Sequence, residues 1–433
     1  MRKPLGIGVA GLGSVGGALI GLIASRKEEL TQRLGLELAL RGVSARSRRD
    51  RGLKLDGVAF YDDARALAAS PDIDIFVELI GGAEGVALEA AKIALTRGAS
   101  VVTANKAMIA AHGLELAGLA EAHGGALAFE PAVAGGIPVL KAIREGLAGN
   151  HIHRVYGILN GTCNYILSRM ETDNLSFETC LAEAQRLGYA EADPTFDIGG
   201  FDTAHKLAIL TALAFGVKID AEAIHVEGIE SITPADIAAA DELGYRIKLL
   251  GVTERGAHGV ESRVHPTMVA KSAPVAQVMG VTNAVSIAGD AIGELTLIGP
   301  GAGGAATASA AMADIIDIAG GARAPAFGRP VQALAQAARV PMQRHEGGYY
   351  VRLAVEDRPG AMAAIATRMG EKNISLEAIS QKRPVKRDEA TKIASVVLIT
   401  WATTEQSIRA ALELAVADGF VRQKPQVIRI ERE

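Results

Sequence analysis

An apolar run that begins at Leu5 meets glycines within a few residues: Leu5-Gly6-Ile7-Gly8-Val9-Ala10-Gly11-Leu12-Gly13-Ser14-Val15-Gly16 reads as a buried strand turning through Gly-x-Gly-x-x-Gly into a helix. Few folds admit that succession. Gly11 permits the tight turn, Gly13 lets backbone approach a pyrophosphate, and Gly16 lets the helix pack on the strand. The amides at the helix start, around Ser14 and Val15, meet the phosphate charge. Ala18, Leu19 and Leu22 continue at helical spacing, so the glycines stand in the strand-turn-helix context that a dinucleotide socket requires.

Strand-like runs at 36–43, 73–80, 100–103 and 126–129 then alternate with helical patterns at 62–69, 84–97 and 108–123. This βα repetition predicts an α/β fold with a Rossmann-type, doubly wound parallel sheet. Ligands of such sheets lie beyond the carboxyl ends of the strands, which selects 78–82 with Gly81, Thr103 to Lys106, and Glu130. The end of the second strand indicates the cofactor. An acid there would bind the ribose hydroxyls of NAD, whereas the chain reads Ser44-Ala45-Arg46-Ser47-Arg48-Arg49, with no acid. Ser44, Arg46 and Arg48 suit the extra phosphate of NADP, although the same arginines would also make a solvated loop. NADP is favoured and NAD stays open.

At 433 residues the chain exceeds one ordinary core, and 49% hydrophobic content supplies two or three. The net charge is -4, and beyond the cluster Arg46, Arg48, Arg49 and Arg51 no basic stripe suggests nucleic acid. Arg2 and Lys3 followed by an apolar stretch over 5–24 imitate a signal peptide or a membrane span, but glycines interrupt the stretch and no cleavage site follows, so neither is expected. Cys163 and Cys180 make no disulfide framework and lack metal-ligand spacing, which points to a reducing, cytoplasmic setting.

The most specific chemistry lies in Gly188-Tyr189-Ala190-Glu191-Ala192-Asp193-Pro194-Thr195-Phe196-Asp197-Ile198-Gly199-Gly200-Phe201-Asp202-Thr203-Ala204-His205-Lys206. Helical periodicity over 200–215 sets Asp202 and Lys206 four residues apart on one face. A surface ion pair would have the same spacing and little consequence. Leu207, Ile209, Leu210, Leu213 and Phe215 argue that the helix is buried, and buried charges need partners or a purpose. Reduction of a carbonyl by hydride transfer needs a proton donor at the developing alkoxide, and lysine serves when desolvation or a second cation lowers its pKa. Lys106 is either that second cation or the donor itself. Glu191 and Asp197 would grip a substrate ammonium, and Asp202 would hold the lysine.

Gly11-Leu12-Gly13-Ser14-Val15-Gly16, Thr103-Ala104-Asn105-Lys106, Asn160-Gly161-Thr162-Cys163-Asn164-Tyr165-Ile166-Leu167 and the stretch from Gly188 to Lys206 together resemble the homoserine dehydrogenases, in the form with a C-terminal ACT domain. The resemblance covers nearly the whole chain. It implies NAD(P)H-linked interconversion of aspartate 4-semialdehyde and homoserine on the route to threonine, methionine and isoleucine. It carries over Lys206 as the acid/base lysine, Lys106 as the lysine at substrate and cofactor, and Glu191, Asp197 and Asp202 as the surrounding acids. Some members have two adjacent aspartates where this chain has Phe196-Asp197. The family's monovalent cation site, usually sodium, falls on Glu130 and the carbonyls of Val133, Gly135 and Ile137, in a turn whose oxygens suit a hard cation; a plain tight turn would read the same way. A second glycine cluster, Gly299-Pro300-Gly301-Ala302-Gly303-Gly304, precedes a helical pattern over 307–318, which in the family returns to the first domain and brings Gly303 near the nicotinamide. The implied organisation is an NAD(P)-binding domain over 1–131 completed by 303–340, an inserted α+β catalytic and dimerisation domain over 132–302, and a C-terminal α+β ACT domain over 348–433.

The tail carries that last reading. Tyr350-Val351-Arg352-Leu353-Ala354-Val355-Glu356-Asp357-Arg358-Pro359-Gly360 is followed by a helix over 361–369, Asn373-Ile374-Ser375-Leu376, a strand over 394–400 and a last helix over 405–417. Such modules pair edge to edge and bind amino acids at the seam, which implies a threonine effector, with a plain oligomerisation module as the alternative; the family implies dimerisation through the sheet of the middle domain, hence a homodimer, or a homotetramer where dimers pair through the tail. Two other readings stay open. Cys163 in Asn160-Gly161-Thr162-Cys163-Asn164 has the look of a phosphorylating aldehyde dehydrogenase's nucleophile, although a cysteine on an apolar helix also serves as packing. A catalytically silent nucleotide sensor would need the glycine turn and the tail, but not Lys206.

Overall fold

The computed structural model describes residues 3–47, 52–53, 55–382 and 393–431. In the first domain six parallel strands lie in the order Ala59–Tyr61, Leu38–Ser44, Leu5–Ala10, Ile75–Glu78, Ser100–Thr103, Leu127–Ala128. That is the order of a dinucleotide-binding sheet. Helices cover both faces, so the strands are apolar throughout: Ile75, Phe76 and Val77 are all fully buried. The register aligns the strand ends. Ser44 lies opposite Ala10, Ala10 opposite Glu78, and Glu78 opposite Thr103, which makes one row along the carboxyl edge.

Differences from the expected boundaries have local causes. The strand expected over 73–80 stops at Glu78, because the Glu78 carboxylate accepts the amides of Ile80 (2.7 Å) and Gly81 (3.0 Å) and turns the chain. The helix expected from 108 begins at Lys106, since the Asn105 side chain caps it by accepting the Met108 amide at 3.1 Å. The short strand Ala59–Tyr61 was not expected at all.

The chain leaves this domain after the turn at 130–137 and returns as the helix Gly304–Ala319. Its Ala308, Ala311, Met312 and Ile315 bury themselves against Leu19, Ile20 and Ile23 of the helix Ser14–Ser25. Small residues allow the close approach: a Cβ on Gly304 would lie 2.9 Å from the Ser14 carbonyl. The domain between these two segments is therefore an insertion into the Rossmann unit. No described helix is long and apolar enough to cross a membrane.

The inserted domain is built on a mostly antiparallel sheet, in the order Gly293–Pro300, Thr282–Gly289, Ile152–Ile158, Tyr245–Gly256, Gly259–Ala270. The helix Phe201–Phe215 packs against Ile152–Ile158 and the long hairpin, with Leu207, Ile209 and Leu210 buried. The sheet does not stop there. Its next strand is Gln426–Glu431, parallel to Gly259–Ala270 with Thr267 opposite Arg429, followed by Glu346–Glu356, Ile393–Thr400 and Leu376–Lys382. These last four strands and the helices Ala361–Glu371 and Glu405–Ala417 form a ferredoxin-like βαββαβ module with its own core of Val351, Leu353, Ile365, Leu398, Ile408 and Leu412. The expected pattern ended with a helix over 405–417 and lacked the final strand. That strand joins the module to the inserted domain edge to edge, within one chain.

Candidate active site

The glycine turn has the stereochemistry that its spacing predicts. Gly11 adopts φ 102°, and a Cβ there would lie 2.4 Å from the Leu79 carbonyl. A Cβ on Gly16 would lie 2.0 Å from the Gly11 carbonyl, so helix and strand meet backbone to backbone. Gly13, the N-cap, is the exception: nothing lies within 4 Å of its would-be Cβ, and no side chain caps the helix start at the exposed Ser14. Gly303 adopts φ 117°, and its neighbour Gly304 sets the second glycine loop against this one at the Ser14 carbonyl. Gly81, at φ 88°, is exposed on the loop that Glu78 braces. Thr103 is fully buried and its hydroxyl donates to Glu78 while accepting the Asn105 amide. Glu78 thus serves the loop's shape. Ser44 is buried and its carbonyl accepts the Gly11 amide at 2.9 Å; Arg46 is exposed; Arg48 lies outside the described residues.

Lys106 is the first residue of its helix, where a cation opposes the helix dipole. It is held there by charge from the other domain: its Nζ is 3.0 Å from Asp202 Oδ1. The second oxygen of Asp202 accepts from Lys206 Nζ at 2.8 Å, and Lys206 also donates to the Leu159 carbonyl at 2.7 Å. Asn160 completes the cluster. Its Nδ2 donates to Asp202 at 2.8 Å and Asp197 at 2.9 Å, while its Oδ1 caps the helix Gly161–Asp173 through the Cys163 amide at 2.8 Å. Two lysines, two aspartates and an asparagine from both domains therefore converge at the interdomain cleft. An ammonium has three donors, and Lys206 spends two within the protein, which leaves one for a ligand.

Burial pushes the Asp202 carboxyl upward, but Lys206, Lys106 and their hydrogen bonds outweigh it and hold the group well below its ordinary value. Asp197 is shifted the other way, by burial and by the Asp202 charge. His205 is lowered by burial, and its Nδ1 has no hydrogen-bond partner among the described residues. Phe196 is exposed and packs its ring on Phe201 and His205. Glu191 is exposed on its loop and makes no hydrogen bond to the lysine-aspartate cluster. Asn160 was not singled out from sequence as a site residue, because its segment drew attention to the neighbouring cysteine. Cys163 itself is fully buried, its thiol donates to the Asp197 carbonyl at 3.2 Å, and burial raises its pKa well above the ordinary value. A thiol so placed is no nucleophile.

Behind the cleft, Glu130 is almost wholly buried, and its oxygens accept the amides of Leu140 and Lys141, each at 2.9 Å. Its own amide donates to Asp314 at 2.9 Å. Burial and the Asp314 charge push Glu130 up to about 7, and burial pushes Asp314 up to about 6. Ala134 (φ 54°) and Gly135 (φ 35°) form the turn, and the Ile137 carbonyl accepts the Val139 amide at 2.7 Å. Asp314 Oδ1 is buried without a hydrogen-bond partner among the described residues, with Lys141 Nζ at 3.5 Å. Two adjacent buried acids with an orphaned oxygen, in a turn rich in carbonyls, fit a cation.

Comparison with known proteins agrees with this geometry. Residues 138–316 match the family model for homoserine dehydrogenase, and residues 11–130 match the model for the homoserine dehydrogenase NAD binding domain. The homoserine dehydrogenase of Neisseria gonorrhoeae is 43% identical over 436 residues, covering 99% of both chains. That of Pseudomonas aeruginosa is 42% identical with the same coverage. Among solved structures, a homoserine dehydrogenase from Thiobacillus denitrificans superposes with a TM-score of 0.93 at 41% identity, over 99% of this chain and 98% of that one. A hyperthermophilic archaeal homoserine dehydrogenase in complex with NADPH superposes with a TM-score of 0.63 at 30% identity, over 73% of this chain and 97% of that one.

Proposed function

The chain belongs to the homoserine dehydrogenase family of NAD(P)-dependent oxidoreductases, interconverting L-aspartate 4-semialdehyde and L-homoserine, and we propose that Lys206 is the proton donor and acceptor of that reaction. The observation that carries the assignment is the burial of Lys206 Nζ between Leu159 O and Asp202, with one donor to spare. A bound reduced nicotinamide supplies the hydride. Lys206 gives its proton to the oxygen of the aldehyde as negative charge develops there, and takes it back in the direction of homoserine oxidation. Asp202 holds Lys206 and Lys106 in register, Lys106 faces substrate and cofactor, and Asp197 with Glu191 orients the substrate ammonium. The experiment is Lys206→Met, treated in the Discussion.

The cofactor assigned is NADP, with its pyrophosphate at Gly11, Gly13, Ser14, Val15 and Gly16, its extra phosphate at Ser44, Arg46 and Arg48, and Gly81, Thr103 and Gly303 around the nicotinamide end. Supporting this is the acid-free end of Leu38–Ser44. Arg46→Ala should raise the KM for NADPH roughly tenfold, the size of one lost charge-assisted hydrogen bond, while the KM for NADH stays within about twofold. Equal changes for both cofactors would remove Arg46 from the phosphate site.

Glu130 and the carbonyls of Val133, Gly135 and Ile137 would hold a monovalent cation, sodium by preference, whose charge offsets the paired acids. Glu130 titrates at about 7 when folded against 4.5 unfolded, so between these values the folded state binds a proton that the unfolded state has released. Stability therefore falls as pH rises through that window. Thermal melts in choline chloride should show this decline, and sodium chloride at equal ionic strength should remove it. Identical melts in the two salts would contradict the site.

The C-terminal module is assigned as an ACT domain that takes threonine as effector, with the pathway serving threonine, methionine and isoleucine in the cytoplasm. Because Gln426–Glu431 is already paired with the inserted domain, edge-to-edge association between such modules falls to Leu376–Lys382, the other edge among the described residues. The sheet of the inserted domain is the assigned dimer interface.

A further inference from the structure

We propose that Arg429, in the last strand of the C-terminal module, is a positioning residue for the substrate turn around Asp197, acting through Glu227. The inference rests on the reading that Asp197 and Lys206 meet the substrate. Arg429 is 2% exposed and makes two carboxylate forks at once. One fork goes to Glu405, the first residue of the module's helix Glu405–Ala417, at 3.1 Å from Nε and 2.7 Å from Nη2. The other goes to Glu227 of the inserted domain, at 2.7 Å from Nη1 and 2.9 Å from Nη2. His225 Nε2 also lies 2.9 Å from Glu227 Oε1, the oxygen that accepts from Arg429 Nη2. A planar guanidinium fixed on two carboxylates sets direction as well as distance.

What Glu227 carries is the floor of the substrate turn. Its neighbour Gly228 lies against that turn so closely that a Cβ would sit 2.5 Å from the Ile198 carbonyl and 2.8 Å from Gly199 Cα. The Ile229 amide then donates to the Ile198 carbonyl at 2.9 Å. On the other flank Gly200, at φ 87°, caps the lysine helix, and a Cβ there would meet Val226 at 3.1 Å. Residues 226–229 thus support both the short helix Thr195–Ile198, which carries Asp197, and the start of the helix that carries Asp202 and Lys206. Contacts therefore run unbroken from the guanidinium through Glu227 and Gly228 to the turn at Ile198 and Gly199, beside Asp197. The geometry makes the seam between module and inserted domain part of what holds the substrate site in shape.

Arg429→Lys keeps the charge and loses the fork; Glu227→Gln keeps the shape and loses the charge. In either variant the KM for L-homoserine should rise roughly fivefold or more, with the KM for NADP within about twofold of wild type. Amide exchange should quicken over 195–200 and stay unchanged over the Rossmann helix Val86–Thr96. Circular dichroism and a cooperative melt establish that each variant is folded. If Arg429→Lys does not fold, Glu227→Gln carries the same expectation. Folded variants with unchanged homoserine KM and unchanged exchange, or with both KM values rising together, overturn the proposal. Failure of the underlying site reading looks different: Lys206→Met would then keep its turnover, whatever the Arg429 variant does.

Discussion

Lys206→Met should lower kcat for homoserine oxidation by roughly 10²–10⁴-fold, the usual worth of a positioned general acid-base group, with NADPH binding and the fold retained. The fold should survive because methionine has a similar length and the helix around it is packed by Leu207, Ile209 and Leu210, while Asp202 keeps Lys106 as a partner. Cofactor binding should survive because Lys206 belongs to the inserted domain and the glycine turn to the other. NADP reduction measured beside NADPH fluorescence separates the two effects. Wild-type turnover in this variant would remove Lys206 from the reaction, and loss of NADPH binding in parallel would make it a structural residue.

Asp202→Asn attacks the same centre from its middle. The carboxylate lies between Lys206 at 2.8 Å, Lys106 at 3.0 Å and Asn160 at 2.8 Å, so the amide takes from both amines the carboxylate they bond directly and leaves Asp197 as the remaining negative charge of the cluster. Expected are a destabilisation of about 3 kcal/mol, from breaking a buried pair, and a kcat lower by roughly 10²-fold, from amines no longer held in register. The pH signature has a definite sign. Asp202 is held below its unfolded value of 3.8, so its contribution is complete above that pH and lost only as pH falls further. The stability deficit of the variant should therefore be constant from pH 5 to 8 and shrink only in acid. A deficit that grows between pH 5 and 8 would mean that another group is responsible.

Legibility from sequence followed the range of the interactions. The glycine turn was readable because its constraint is local: Gly11 must adopt positive φ and Gly16 must accept a carbonyl at contact. The four-residue spacing of Asp202 and Lys206 was readable for the same reason, and the apolar run beyond it foretold that the pair is buried. Lys106 followed from the rule that ligands gather beyond strand ends. Asn160 was not readable, because its bonds to Asp197 and Asp202 span 37 and 42 residues, and nothing in Asn-Gly-Thr-Cys-Asn announces them. Glu78 invited a binding role from its place in the strand, yet its oxygens are used on neighbouring backbone and on Thr103. The strand Gln426–Glu431 escaped because its partner, Gly259–Ala270, lies far away in sequence. Arg429 is the same case at the level of one side chain: an arginine near a terminus looks solvated until both carboxylates fold around it.

Small primary amines supply the group that Lys206→Ala removes. With ethylamine added to that variant, homoserine-dependent NADP reduction should recover in proportion to the concentration of the amine's free base, and Lys106→Ala under the same conditions should not respond. Recovery in Lys106→Ala alone, or a Lys206→Ala enzyme that turns over at the wild-type rate without any amine, would contradict a proton transferred through Lys206.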